Sequence, residues 1–146
     1  MKVDSVIKKL KEDNPEILIL VQIGAFYHVY GKDAYIASYL FNYQMKNAEV
    51  NNNTCLISKR GIDKILKILE EQSISYTLLI KTQNYEVEKE RDFKKKNKYM
   101  ENYQKAYRYV SMKRRIDTIY NYLIENIDMA ETRDKVQKIE EKLFHC

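Results

Sequence analysis

The sequence is poor in the residues that interrupt regular structure or cross-link a chain. Its 146 residues include three glycines, one proline, two cysteines and no tryptophan. Cys55 and Cys146 are too few for the disulfide framework of a small secreted domain, which favours a reducing compartment. The chain has neither a charged-then-apolar signal segment nor an apolar run near the ~20 residues that a membrane helix needs. We therefore expect a folded cytoplasmic protein.

The positive charge is concentrated in the last third of the chain. Residues 1–92 hold 13 basic and 13 acidic residues, whereas residues 93–146 hold 13 basic and 8 acidic ones, which accounts for the whole net charge of +5. No Gly or Pro occurs from Arg91 to Cys146, and strong helix formers dominate there. We expect two parts, an α/β domain over residues 1–92 and a basic helical hairpin over residues 93–146.

Alternating periodicities in the first part predict a mixed β-sheet flanked by helices. Asp33 is the expected N-cap of the second helix, and Asn51–Asn53 form an expected turn. In the second part, an apolar stripe from Tyr99 to Ile127 and another from Val136 to Leu143 predict two antiparallel helices. The other predicted elements are helices over Val3–Asp13, Asp33–Phe41 and Ile62–Leu69, and strands over Ile17–Ile23, Phe26–Tyr30, Tyr43–Val50, Thr54–Ser58, Ser75–Lys81 and Tyr85–Phe93.

The second predicted strand presents two rings on one side. Gly24 allows the chain to turn sharply into it. Because side chains alternate along a strand, Phe26 and His28 share one face, and Tyr27 and Val29 share the other. If Tyr27 and Val29 face the core, a phenyl ring and an imidazole project outward together, which suits contact with a base.

These residues carry a resemblance to a known family. The segment Asn14–Leu18 and the segment Ile23–Ala34, which reads IGAFYHVYGKDA, are similar to the opening of the amino-terminal domain of MutS. In that mismatch-repair family the pattern runs roughly P-[DE]-x-I-L-L-F-x-x-G-D-F-Y-E-L-F-x-x-D-A. The similarity covers about the first 90 residues and is most specific from Gly24 to Ala34. It implies a MutS domain I-like fold and contact with nucleic acid.

The resemblance also implies roles for two residues. In the family a phenylalanine stacks on a mispaired base from the minor groove, and a glutamate two residues later bonds to that base. Phe26 fills the first position, whereas His28 replaces the glutamate and Ala25 replaces the usual aspartate. Stacking is therefore expected without the carboxylate contact; the alternative is that Phe26 is an ordinary or vestigial strand residue. These 146 residues contain no G-x-x-x-x-G-K-[ST] phosphate loop, so no ATP-driven repair cycle is expected.

Basic residues of the second part are further candidates for nucleic-acid contact. Residues 93–115 contain nine basic residues and one acid, and they are interleaved with tyrosines. Lys and Arg neutralise phosphates, and tyrosines stack on unpaired bases; the alternative is a solvated helix face with its tyrosines in the core. The predicted nucleic-acid-binding residues are Phe26, His28, Lys94, Lys95, Lys96, Lys98, Arg108, Lys113, Arg114 and Arg115.

Two groups of side chains have the composition of a metal site but are interpreted otherwise. Glu86, Glu88, Glu90 and Asp92 alternate along a predicted strand, and we interpret them as charges that protect a sheet edge, because a nuclease centre also needs a nearby Lys and an organising carboxylate on a second strand. The spacing of His145 and Cys146, combined with either Cys55 or His28, gives no support for a zinc site. We expect no metal, no cofactor and no enzymatic activity.

The sequence favours a nucleic-acid-binding accessory protein that resembles the small MutS-like accessories of bacterial mobile or reverse-transcribing elements. Such a protein would bind DNA or an RNA/DNA hybrid in repair, recombination or reverse transcription, with a polymerase, reverse transcriptase or repair protein as its partner. The alternative is a protein-interaction adaptor that docks an acidic partner, or forms a homo-oligomer, through the C-terminal helices. A small nuclease is a third hypothesis.

Overall fold

The computed structural model describes residues 2–47 and 53–145, which form five α-helices and six β-strands. Two single 3-10 turns, Lys59–Gly61 and Lys94–Lys96, lie between these elements. In chain order the elements are α1 (Val3–Asp13), β1 (Leu18–Ile23), β2 (Phe26–Tyr30), α2 (Lys32–Phe41), β3 (Lys46–Asn47), β4 (Asn53–Ser58), α3 (Ile62–Glu71), β5 (Tyr76–Lys81), β6 (Tyr85–Arg91), α4 (Tyr99–Glu125) and α5 (Ala130–Phe144).

The strands form one mixed sheet in the order β3-β4-β2-β1-β5-β6. β1 pairs with β5 in parallel, and every other described pair is antiparallel. The central position of β1 explains its apolar sequence, because the residues from Leu18 to Val21 are buried on both faces of the sheet. The predicted fold class, a mixed sheet flanked by helices with two C-terminal helices, is confirmed.

Helices cover the two faces of this sheet unequally. On one face α2, α3 and the beginning of α4 enclose the larger cluster, which includes Tyr27 and Val29 of β2. On the other face α1 packs against a smaller cluster formed by Ile19, Val21 and Leu79. The alternation predicted for β2 is therefore confirmed, with Tyr27 and Val29 facing the larger core.

Asp33 is buried in the first turn of α2 and does not cap that helix, so the capping prediction was wrong. The N-cap is Gly31, at φ +60°. The Asp33 carboxylate instead accepts hydrogen bonds from Lys11 Nζ at 2.7 Å, from the Tyr99 hydroxyl at 2.5 Å and from the Ile19 amide at 3.0 Å. These donors come from distant parts of the chain, and a local capping pattern cannot reveal them.

The ends of the sheet agree with the sequence as far as the structure describes them. β6 is an edge strand whose carboxylates are exposed, as predicted. Of the strand predicted over Tyr43–Val50, Lys46–Asn47 form β3 and pair with β4. Residues 48–50 of that prediction, residues 51–52 of the predicted turn, and Cys146 lie outside the described residues; Asn53 begins β4. Within the described ranges, no helix combines the length and apolar character required to cross a membrane.

The chain divides into two compact units, Met1–Val110 and Ser111–Cys146. The first contains the sheet and the beginning of α4, so it runs past the change in composition at Phe93. The second contains the rest of α4 and α5. Within it, Lys135 Nζ of α5 donates to the Tyr122 hydroxyl of α4 at 2.9 Å. Because only residues 126–129 separate the two helices, this contact shows that the chain reverses into the predicted hairpin.

Candidate nucleic-acid interface

Phe26 stands exposed at the first position of β2. Its side chain is 45% exposed, whereas the next residue, Tyr27, is 3% exposed. Gly24, at φ +63°, makes the tight turn that brings β2 back along β1, so that Ile23 pairs with Phe26. The position at the end of the sheet leaves the phenyl ring available to a ligand, as the sequence predicts.

His28 lies on the same face of β2, two residue pairs further into the sheet. It is opposite Val21 on β1 and Leu56 on β4, and its ring centroid is 6.0 Å from that of Tyr30. The side chain is half-buried, and this burial lowers the pKa of His28 below its usual value of 6.5. The imidazole is therefore neutral near pH 7 and offers one donor and one acceptor nitrogen.

A basic pair that the sequence analysis did not select lies beside Phe26. The register places Phe26 opposite Ser58, the last residue of β4, and Lys59 and Arg60 follow in an exposed 3-10 turn. The Lys59 amide donates to the Ala25 carbonyl at 3.1 Å, which fixes the two loops together. In the sequence, Lys59 and Arg60 are recognisable only as a basic pair directly after a predicted strand. Their proximity to Phe26 depends on the pairing of β2 with β4.

The Lys94–Lys98 segment is an exposed basic turn held in a defined position. Its central anchor is Asn97, whose side-chain oxygen accepts from the Ser75 amide at 2.9 Å and whose side-chain nitrogen donates to the Glu16 carbonyl at 2.7 Å. The Lys98 amide also donates to the Ser73 carbonyl at 2.8 Å. The four predicted lysines at 94, 95, 96 and 98 are exposed, so they are available for phosphate contact.

The predicted residues of the first unit, apart from Arg108 on α4, form two clusters at opposite ends of the sheet. Phe26 lies where β1 ends, whereas the Lys94–Lys98 segment is anchored to Ser75 and Glu16, where β5 and β1 begin. At ~3.3 Å per strand residue, the six residues of β1 separate the two ends by roughly 17–20 Å. The structure brings Phe26 and His28 together with Lys59 and Arg60, but not with the Lys94–Lys98 segment.

The tyrosines of α4 divide between core and surface. Tyr99 is fully buried and bonded to Asp33, so the core alternative holds for it. Tyr107 is exposed, and its ring stacks on that of Tyr35, with centroids 6.0 Å apart and planes 13° apart. Arg108, a predicted phosphate contact, is exposed beside Tyr103 and Tyr107 along a shallow groove of about 320 Å³.

The remaining predicted residues, Lys113, Arg114 and Arg115, lie in the second unit. All three are exposed on α4. That unit as a whole carries no net charge, because residues 111–146 contain seven basic and seven acidic residues. The net charge of +5 therefore resides in the first unit, which contains both the Lys59–Arg60 pair and the Lys94–Lys98 segment.

The side chains first considered for metal binding can be located except for Cys146, which lies outside the described residues. Glu86, Glu88 and Glu90 follow the exposed β6 edge. Among residues 2–47 and 53–145, no group of three or more His, Cys, Asp or Glu side chains is placed to hold a metal ion.

The chain matches a known protein family. The model of MutS domain I matches residues 3–120. This range includes the whole described sheet and Phe26, and it extends beyond the first 90 or so residues that resemble the family pattern. No curated protein matches the chain.

Proposed function

We propose, from the premise that this chain belongs to the MutS domain I family, that it is an accessory protein which binds nucleic acid and recognises distorted or mispaired duplexes. The exposed position of Phe26 carries the proposal. Phe26 occupies the position of the stacking phenylalanine in the family pattern, and it is 45% exposed although its strand neighbours Tyr27 and Val29 are buried. A side chain kept only for packing would be expected to face the core.

Stacking by Phe26 would select substrates in which a base is easily displaced. Unstacking a base costs least at a mispair, bulge or single-stranded segment, so an aromatic side chain gains most there. His28 is in place of the family glutamate and contributes a neutral imidazole. We therefore propose that recognition depends on distortion and stacking, with a weaker contribution from hydrogen bonding to the displaced base.

Basic residues would supply the affinity that does not depend on sequence. Lysines outnumber arginines 20 to 6, and lysine acts as a point charge toward phosphate rather than as a bidentate reader of bases. We propose that Lys59 and Arg60, which follow the partner residue of Phe26 on β4, hold the nucleic-acid backbone next to the base that Phe26 contacts. The Lys94–Lys98 segment lies roughly 17–20 Å away, which corresponds to about five or six base pairs at ~3.4 Å each.

We propose that the protein serves a DNA repair, recombination or reverse-transcribing mobile element in the cytoplasm, with a polymerase, reverse transcriptase or repair protein as its partner. The support is its family membership together with the absence of a phosphate loop from these 146 residues. We propose no catalytic role for any of its residues and no cofactor.

Fluorescence anisotropy with matched oligonucleotides tests the proposal. Labelled perfect duplex, mispaired duplex, bulged duplex and RNA/DNA hybrid would be titrated with the wild-type chain, Phe26→Ala and Val87→Ala. The Val87 control removes a side chain of similar exposure, 48%, from the β6 edge. We expect Phe26→Ala alone to lose about 1–3 kcal/mol, and only on the distorted substrates. Equal binding of Phe26→Ala and wild type to every substrate would refute the proposal.

A second candidate function is supported by a separate feature. The second unit exposes many large apolar side chains (described below), which favours a protein-interaction adaptor built on the same scaffold. The salt dependence of binding discriminates the two functions. A nucleic-acid-binding protein loses affinity steeply as salt increases, whereas an adaptor would show no measurable binding to these oligonucleotides at any salt concentration.

A further inference from the structure

The helical hairpin of the second unit lacks a core of its own. In the described range 111–145, Thr132 is the only buried residue. Twelve large apolar side chains are substantially exposed in this unit: Met112, Ile116, Ile119, Tyr120, Tyr122, Ile124, Ile127, Met129, Val136, Ile139, Leu143 and Phe144. A monomeric protein rarely leaves so many large apolar side chains in water.

Six of these side chains, together with the half-buried Leu123 and the buried Thr132, form two regular stripes. On α4 the stripe is Met112, Ile116, Ile119 and Leu123, and on α5 it is Thr132, Val136, Ile139 and Leu143. Both are spaced 4, 3 and 4 residues apart, which is the 3.5-residue repeat of helices that pack in coiled coils and four-helix bundles. Two helices cannot close such a bundle, and the α4 stripe remains more than half exposed at Ile116 and Ile119.

From this pattern we infer that the hairpin pairs with the hairpin of a second copy of the chain to form an antiparallel four-helix bundle. The unit has seven basic and seven acidic residues, so two copies do not repel each other, and no charge excess favours a strongly acidic or basic partner. Ile124 lies outside the stripes, and the other eleven side chains, about half exposed, offer on the order of 800 Å² of apolar surface at roughly 150 Å² each. A stable interface needs about 800 Å² per partner, so the surface is large enough.

In a two-fold symmetric dimer, the same surface of each copy faces the other copy. The stripes of one hairpin can therefore pack against the stripes of an identical hairpin. The dimer would carry two copies of the sheet end at which Phe26 lies, and two copies of the Lys94–Lys98 segment. The inference does not rest on nucleic-acid binding, because it concerns the free protein. Its failure and the failure of the proposed function are therefore separately observable.

Sedimentation equilibrium of the full chain, without nucleic acid, tests the inference. We expect a species of twice 17.6 kDa at micromolar concentration. Ile119→Glu places a charge on the α4 stripe and should raise the dissociation constant about 30-fold or more. Ile124→Glu is the matched control, because Ile124 lies on the same helix with 48% exposure but outside the stripe; this variant should stay dimeric. Circular dichroism would confirm that each variant is folded.

Two further measurements keep the inference falsifiable if Ile119→Glu does not fold. Leu143→Glu changes the α5 stripe at a site near the helix end that is 68% exposed, and it should also weaken the dimer. The second measurement is sedimentation of the wild-type chain itself, which shows directly whether a dimer forms. A monomer at every concentration up to about 100 μM, an assembly larger than a dimer, or a dimer that survives Ile119→Glu and Leu143→Glu would overturn the inference.

Discussion

Tyr99 and Asp33 are 66 positions apart in the sequence, yet the Tyr99 hydroxyl donates to Asp33 Oδ1 at 2.5 Å in the core. Lys11 Nζ reaches the same carboxylate oxygen at 2.7 Å, and the Ile19 amide donates to the other. One buried carboxylate therefore joins α1, β1, α2 and α4. The beginning of α4 belongs to the core of the first unit, although by composition it continues the basic segment.

Removing only the Tyr99 hydroxyl should destabilise the fold. Tyr99→Phe keeps the ring but leaves Asp33 with one donor fewer in a buried site, and a hydrogen bond to a charged group contributes about 1.5–3 kcal/mol. We expect a loss of that size in the free energy of unfolding, measured by urea denaturation. Tyr109→Phe, on an exposed ring of the same helix, is the control. Equal stabilities of the two variants would show that the bond contributes nothing.

Two truncations should differ in folding. A fragment of residues 1–110 keeps Tyr99 and Ala106, which are fully buried, whereas a fragment of residues 1–92 loses both and uncovers the larger cluster. We expect residues 1–110 to unfold cooperatively in urea, and residues 1–92 to show no cooperative transition. A cooperative 1–92 fragment of equal stability would mean that α4 is not required for the core.

Local sequence patterns predicted most of the elements, because their signals lie within a few residues. The apolar run of β1, the alternation of Tyr27 and Val29, and the breaker Gly24 each specify structure locally. The role of Asp33 was predicted incorrectly, since its partners Lys11 and Tyr99 are distant in the chain.

The candidate site was predictable only in part, for the same reason. The family pattern pointed to Phe26 and His28. The nearness of Lys59 and Arg60 to Phe26 follows from the pairing of β2 with β4. The separation of Phe26 from the Lys94–Lys98 segment follows from the register of β1 and β5. Neither register can be deduced from composition or periodicity.

Reversing the charges of the Lys94–Lys98 segment should weaken binding to all substrates alike. Each lost phosphate contact reduces the slope of log affinity against log salt by ~0.9 for B-DNA. We expect lysine-to-glutamate changes at 94, 95, 96 and 98 to make the salt dependence less steep, reducing the magnitude of the slope by about two to four. The preference for mispaired duplex should not change. Lys64→Glu with Lys67→Glu, on the exposed side of α3, is the control. An unchanged slope would exclude these lysines as phosphate contacts.

Reversing Lys59 and Arg60 should have a different effect, because they adjoin Phe26. We expect Lys59→Glu with Arg60→Glu to lower the salt slope by about two and also to reduce the preference for a mispair, since the backbone beside the displaced base is no longer held. Anisotropy titrations at several salt concentrations measure both quantities. A loss equal on perfect and mispaired duplex would place this pair outside the recognition site.

The pH dependence of binding should identify the role of His28. Burial lowers the pKa of His28 below 6.5, so the imidazole is neutral at pH 7–8 and gains a proton only in more acidic solution. If His28 contacts a phosphate or a base acceptor, affinity should be constant between pH 7 and 8 and increase as the pH falls below about 6.5.

Protein stability changes in the opposite direction over the same range. A lowered pKa means that the folded state binds the proton less well than the unfolded state, so the contribution of His28 to stability is complete above about pH 6.5 and decreases as the pH falls. Urea denaturation at each pH would confirm that the protein remains folded during the titrations. His28→Gln, which does not titrate, should bind with no increase at low pH and should lose this part of the pH dependence of stability.

Restoring the family residue provides the complementary test. His28→Glu places a negative charge near the phosphates of the nucleic acid, so it should weaken binding to perfect duplex. It also restores the carboxylate that bonds to a mispaired base in the family. We expect overall affinity to fall and the ratio of mispaired to perfect binding to rise. Identical pH profiles for the wild type and His28→Gln, together with an unchanged ratio for His28→Glu, would show that His28 does not contact the nucleic acid. Recognition would then depend on Phe26 alone.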